Sequence, residues 1–326
     1  MANAITGTPA LSASPTNYAG ANSNLSQAIQ GIWSKEILFQ AMPVLRFEQF
    51  AVKKTELGVQ PGLTINFMRY NNLGAASQLV EGVRMQTNAL SATQFSITVA
   101  EHGYAVAVSE LLLNASFDDV MASASRLLGR NMATYLDVSA RDTLLTGSST
   151  IFGYDKTGLT RTANSPYDHG DVAANRDALS GAYKFTTATV KDAVETLATK
   201  NTPRLGETYV CFIHPHQSRQ LRDDPEFIEV TKYAAPGNFM LGEIGRLNDV
   251  VFIETTQVKQ VVNAGGQTVY QSIFIGDNAF GHAISLPVEL RDGGILDFGR
   301  EHALAWYAIW GLGLITDQSV LIAETN

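Results

Sequence analysis

Apolar residues recur along the chain with two different periods, and the points where the period changes mark its elements. Trp33, Ile37, Leu38, Phe39 and Ala41 follow helical spacing until Pro43 interrupts, which predicts a short helix with one apolar face. Val44 to Lys54 mixes apolar residues with Arg46, Glu48 and two lysines and leads to a turn at Gly58 and Pro61-Gly62. Leu63, Ile65 and Phe67 then alternate with Thr64, Asn66 and Met68, the period-2 signature of a half-buried strand. Phe95, Ile97 and Val99 repeat that alternation, and past His102-Gly103 it resumes at Tyr104, Val106 and Val108.

Between these strands lie about 25 residues, Tyr70 to Thr93, rich in Asn, Gln, Ser and Thr. That is too long for a tight hairpin, and loops above roughly 12 to 15 residues inside compact domains are usually functional or disordered. From Gly62 to Ala100 only Arg69, Glu81 and Arg84 carry charge. Two readings stand: an extended two-stranded arm of neutral polar groups able to hydrogen-bond another chain, or a plain surface loop.

A long helix follows. Ser116 with Asp119 three residues on makes a capping-box pattern, and both Asp118 and Asp119 suit the positive end of the dipole. Phe117, Val120, Met121, Ala124, Leu127, Leu128, Met132, Tyr135 and Leu136 recur at spacings of three and four, and Gly147 ends the pattern after Leu145. A helix over 117–145 would be about 43 Å long. Its apolar stripe drifts, which disfavours a heptad coiled coil.

Thr146 to Tyr183 is a polar stretch predicting loops or short strands. A second module begins with a helix over Thr187 to Lys200, a strand at Tyr209 to Ile213 and a short helix from Pro215 to Asp224. Further strands are predicted at Val250 to Glu254, Val269 to Ile275, Ala303 to Ile309 and Gly313 to Ile322, with Gly265-Gly266 as a hairpin turn. Helices and strands mix without regular βαβ alternation, so the predicted class is α+β.

Composition narrows the function. A net charge of −8 argues against holding nucleic acid through its phosphates. One cysteine, Cys211, excludes an intramolecular disulfide framework and a cysteine-based zinc site, and its apolar setting predicts a small buried hydrophobe. The first basic residue is Lys35, so no secretory leader is expected. The longest apolar run, Ala303 to Ile315, falls short of the roughly 20 residues a membrane helix needs. From Ala2 to Ser34 no side chain is charged, which suits an arm lying against the parent domain or a neighbouring subunit; a loose terminus is the alternative.

Catalytic motifs are scarce. His214-Pro-His216 is the obvious metal candidate, but no third ligand stands at a recognisable spacing, and both residues suit a strand-to-helix junction. Gly276 to Gly281 has the outer spacing of a phosphate loop, but His282 and Ala283 replace the Lys and Ser/Thr that such a loop requires, so it reads as a turn. Asp118-Asp119 and Asp223-Asp224 sit at helix ends. No catalytic, cofactor or metal site is expected.

Five strings occur in one order: Trp33-Ser-Lys-Glu-Ile-Leu38, Phe47-Glu-Gln-Phe-Ala51, Gly62 to Leu73, Leu79-Val-Glu-Gly-Val83, and Ile213-His-Pro-His216 followed by Leu221-Arg-Asp-Asp224. In them the chain resembles the major capsid proteins of tailed bacteriophages, which share the Hong Kong 97-type fold, and it looks most like the phage N4-like coat protein branch. The resemblance implies an N-terminal arm over 1–32 and a peripheral domain over 33–186 carrying an extended loop (62–103) and a spine helix (117–145). It further implies an axial domain over 187–286 and a return to the peripheral domain over 287–326.

The implied function is a structural shell: pentamers and hexamers in an icosahedral head that encloses double-stranded DNA without binding it specifically. Portal protein, and scaffolding or decoration proteins where used, would be partners, no membrane is involved, and assembly would occur in the host cytoplasm. Trp33, Arg69, Tyr70, Glu81 and Arg84 are the candidate inter-subunit contacts. Some members of the fold cross-link through a loop lysine, but after Lys54 the next lysine here is Lys156, so such cross-linking is not expected. The alternatives are an encapsulin-like nanocompartment shell and, from another class, a cytosolic hydrolase using His214, His216 and unidentified carboxylates.

Overall fold

In the computed structural model the described residues are 46–55, 64–70, 87–115, 120–155, 173–224, 246–297 and 300–326, with isolated positions 73, 76, 78, 82, 84, 85 and 227. The predicted helix at Trp33 to Phe39 and the capping box at Ser116 to Asp119 lie outside them. Two larger sheets share one long helix.

The first sheet has the order β1-β13-β14-β4, built from Val52–Lys54, Phe280–Leu296, Glu301–Leu314 and Ala100–Ser109. β13 and β14 form a long antiparallel hairpin, and β4 pairs antiparallel with β14 along its whole length, from Ala100 opposite Trp310 to Ser109 opposite Glu301. After a short helix α1 (Glu110–Ala115), the chain enters α2 (Val120–Leu144), a 25-residue helix about 37 Å long. Its residues Leu128, Met132, Ala133 and Leu136, at spacings of three and four, pack on Leu304, Trp306, Ala308 and Trp310, the alternate residues of β14. Trp306 Nε1 donates to Asn131 Oδ1 at 3.1 Å, which satisfies its buried N–H.

The second sheet has the order β5-β15-β12-β8-β10-β9: Thr150–Phe152, Val320–Thr325, Thr268–Ile275, Tyr209–Ile213, Val250–Glu254 and Arg246–Leu247. β11 (Lys259–Val262) pairs with β12, and a separate pair joins β6 (Tyr154–Asp155) to β7 (Tyr183–Lys184). Every residue of β8 is buried because both of its faces are covered. Tyr209, Cys211 and Ile213 face Val190, Ala193 and Leu197 of α3 (Thr187–Thr199), together with Leu221 of α4 (Pro215–Arg222). Val210 and Phe212 share a cluster with Ala140 and Leu144 of α2 and with Phe47. The last two turns of α2 are therefore the joint between the sheets.

Asp137 of α2 ties down the start of the described chain. Its Oδ1 accepts the amide N–H of Arg46 and of Phe47, both at 2.8 Å. Burial pushes its carboxyl above the ordinary range, against the pull of those amides. Asp137→Asn, which keeps an accepting oxygen, should change stability by less than about 1 kcal/mol, whereas Asp137→Ala strands two donors and should cost roughly 1–3 kcal/mol in urea denaturation. Beside it Glu48, also buried, takes His282 Nδ1 at 3.0 Å and Lys53 Nζ at 2.8 Å. Burial raises the Glu48 carboxyl, but these two partners outweigh it and hold it below its usual value.

Several sequence expectations need correction. The predicted strand at Gly313 to Ile322 is two elements: Leu314 ends β14, Asp317–Ser319 is a 3-10 turn, and Val320 begins β15. β15 pairs with β12 and β5, so the final strand belongs to the second sheet and not with β14. The strand predicted over Ala303 to Ile309 spans Glu301–Leu314, and the long helix is described over Val120–Leu144. Phe280 and Gly281, read as part of a turn, open β13. That strand escapes a period-2 search because register shifts between Ile284/Leu286, Leu286/Glu289 and Asp292/Ile295 change which face its side chains occupy. Pro287, which cannot donate to the ladder, sits within the second of them.

Candidate assembly surfaces

β2 (Thr64–Tyr70) and β3 (Ala92–Thr98) pair antiparallel in register from Thr64 opposite Thr98 to Tyr70 opposite Ala92. The root of this hairpin is fastened to the first sheet. Ile97 and Val99 are buried in a small cluster with Ala283, against Ile65 and Ile309. Glycines make the approach possible: a Cβ on Gly313 would lie 2.8 Å from Ile97 Cγ1, and one on Gly281 3.0 Å from Ile97 Cδ1. Towards the far end burial falls away, and Ala92, Thr93 and Gln94 are exposed.

The far end is apolar as well as exposed. Met68, Tyr70, Leu73, Met85 and Leu90 each show at least 61% of their surface. A two-stranded hairpin is marginal in water on its own, and clustered exposed apolar side chains mark a surface that another molecule covers. Of the residues singled out from the sequence, Tyr70 is at this end of β2, 64% exposed, and Arg84 is exposed in the segment between the strands. Arg69 stands opposite Thr93 in the backbone register, Tyr70 opposite Ala92. Trp33 and Glu81 lie outside the described residues.

Further exposed apolar residues, on α1, α2 and β4, were not anticipated. Leu111 (75%) and Leu112 of α1 stand out, and Leu127 and Tyr135 of α2 lie at helical spacing on one face with Asn131 between them. Tyr104 of β4, the edge strand, is 56% exposed and pairs across from Trp306. Tyr135 Oη meets His102 Nδ1 at 2.9 Å, and the His102 ring stacks on Trp310 with centroids 4.0 Å apart. Burial holds the His102 imidazole below its usual value, against the Trp310 carbonyl. The signal in the sequence is that Leu127 and Tyr135 fall off the stripe made by Leu128, Met132 and Leu136.

The histidine pair serves the fold. His214 Nδ1 accepts the His216 amide at 3.1 Å, and both rings lie against Tyr270, at 4.7 and 5.1 Å. Among the described residues no group of three His, Cys, Asp or Glu converges on a metal position, and no helix is long and apolar enough to cross a membrane. Burial pushes the Cys211 thiol well above its usual value.

Comparison with solved structures puts this architecture among viral shells. The capsid of cyanophage Pam1 superposes with a TM-score of 0.65 at 17% identity, covering 100% of this chain and 99% of that one. The capsid of cyanophage P-SCSP1u gives 0.64 at 15% identity over 86% and 88%, and that of Ralstonia phage GP4 0.62 at 17% over 86% and 87%. The fold is thus the Hong Kong 97-type fold of icosahedral shell subunits. Residues 92–316 match the family model of phage capsid proteins, well over half of the chain, and the chain belongs to that family. It is a structural major capsid protein of a tailed-phage head. No curated protein sequence matches it.

Proposed function

We propose that this subunit assembles as pentamers and hexamers into a closed head around double-stranded DNA, using the β2–β3 hairpin as the arm that reaches a neighbouring copy. The observation that carries the reading is the hairpin itself, rooted by Ile97 and Val99 and offering Met68, Tyr70, Met85 and Leu90 with nothing of its own chain over them among the described residues. Neutral, largely apolar contacts spread over many copies suit a shell that forms reversibly before it closes. The acidic balance keeps the packaged phosphates from adhering to the wall.

In this reading 62–103 is the extended loop, the long helix is the spine of the peripheral domain, 187–286 is the axial domain built around β8, β10 and β12, and 287–326 returns to the peripheral domain. The uncharged segment 1–32 is the N-terminal arm. Portal protein, and scaffolding or decoration proteins where used, are partners, and assembly takes place in the host cytoplasm. The role is structural rather than enzymatic: His214 is occupied in capping a helix.

The test is size-exclusion chromatography with negative-stain electron microscopy. Closed particles or five- and six-membered rings support the proposal; a monomer or dimer in every condition, with the products of neighbouring genes present, sinks it. The double variant Met68→Lys, Tyr70→Glu should lower particle yield by roughly tenfold or more while the subunit keeps its thermal stability. Normal yield would remove the hairpin from the interface.

A further inference from the structure

We infer that His214 makes helix α4 an acid-labile element, because its ring can cap the helix only while it is neutral. The N-cap bond runs from the His216 amide to His214 Nδ1 at 3.1 Å, and the reciprocal bond from the His214 amide to Gln217 Oε1 at 3.1 Å. Pro215, at the first position of the helix, has no N–H, so His216 presents the first donor that needs a partner. An accepting Nδ1 carries no proton, and the neutral ring therefore holds its proton on Nε2, 3.3 Å from the end of the Gln260 side chain, whose amide accepts that proton when turned to present its oxygen. An imidazolium has an N–H on both nitrogens. It would set N–H against N–H at the cap and place a positive charge at the positive end of the helix. Asn, Ser and Thr caps do not titrate in this range; histidine does.

The groups around the ring come from four elements. His216 of α4 disfavours a second positive charge, Glu254 of β10 favours one, Tyr270 of β12 packs against the ring, and Gln260 of β11 is neutral. Burial comes first, and with His216 it outweighs Glu254, holding the imidazole below its ordinary value of 6.5. The folded chain thus binds fewer protons here than the unfolded chain. The cap's contribution is fully present above about pH 6.5 and is lost as pH falls through the lower folded value.

The effect extends past the cap. Gln217, fully buried, also takes the Ser272 hydroxyl at 2.7 Å and donates to Thr325 Oγ1 at 2.8 Å. Loosening the first turn of α4 therefore unfastens the polar bridge that joins it to β12 and β15.

Hydrogen exchange read by mass spectrometry on the full chain, at about pH 7.5 and about pH 5 with intrinsic rates corrected, tests this. In the wild type, protection over residues 214–222 should fall by roughly fivefold or more at the lower pH. His214→Asn, which caps without titrating, should hold its protection at both, and His216→Gln should keep the wild-type response. Equal wild-type protection at the two pH values overturns the inference, as does a fall in His214→Asn matching the wild type's, or loss of the response in His216→Gln. Independently of any variant, imidazole nitrogen shifts at neutral pH should show the Nε2–H tautomer; the Nδ1–H tautomer would also overturn it.

Discussion

Gly311→Val should abolish head assembly while leaving the second sheet folded. Gly311 lies in β14 beneath the turn from β3 to β4, and a Cβ there would be driven into the carbonyl oxygen of Thr98, 2.9 Å from its carbonyl carbon and 3.1 Å from Val99 Cα. Those obstacles are backbone, so no side-chain rotamer relieves the clash, and the hairpin root must lift from the sheet. Lifting it exposes Ile97 and Val99, now buried with Ala283, and breaks the small cluster that aims the hairpin. Overpacking of this kind usually costs about 1–3 kcal/mol, and an unyielding backbone neighbour puts the cost at the upper end. The loss of assembly should exceed what that figure alone predicts, because the arm would be displaced in every subunit at once. Electron microscopy with hydrogen exchange over β8 and β12 reads both parts; particles at wild-type yield would show that the hairpin root is not a rigid mount.

Phe212→Ala should produce the largest loss of subunit stability, roughly 3–5 kcal/mol. Phe212 is fully buried in β8, with its ring 4.2 Å from that of Phe47 and 5.6 Å from that of Phe50. It belongs to the cluster that includes Ala140 and Leu144 of α2, so the cavity would open in the joint between the sheets. The melting temperature should drop by roughly 6–10 °C. Phe50→Ala, which removes a ring only packed against the edge of that cluster, should cost less. A Phe212→Ala cost below about 1 kcal/mol in urea would mean that the sheets are held together by something other than this core.

The elements with clean periodicity were legible in the sequence. β2, β3, α2 and α3 follow from one unbroken alternation or one helical stripe, β8 and β12 from short apolar runs, and Cys211 and the His214 junction from local chemistry. Resemblance in a few ordered strings extended this to the fold. β1, α1, β11 and β13 were not legible: three of them are short, and in β13 bulges interrupt the alternation that would have revealed it.

Among the contact residues, charge drew attention to Arg69 and Arg84, while the structure shows that the apolar neighbours Met68 and Met85 are exposed as well. Whether an apolar residue faces a core or an open surface depends on what packs over it, and that is a long-range fact. Leu127 and Leu128 are adjacent and alike, yet one is 66% exposed and the other 1%.

By itself, then, the sequence determined the local conformations, the α+β class and the absence of strong charge along the arm, because propensity, period and net charge are properties of neighbouring residues. Only the tertiary structure decided that β15 leaves β14 for the second sheet, that α2 serves both cores, and that three glycines floor the hairpin. Those outcomes depend on contacts between segments far apart in the chain, as when Ile275 pairs with Val320 or Glu48 meets His282 across 234 positions, and no short window along the chain contains both partners.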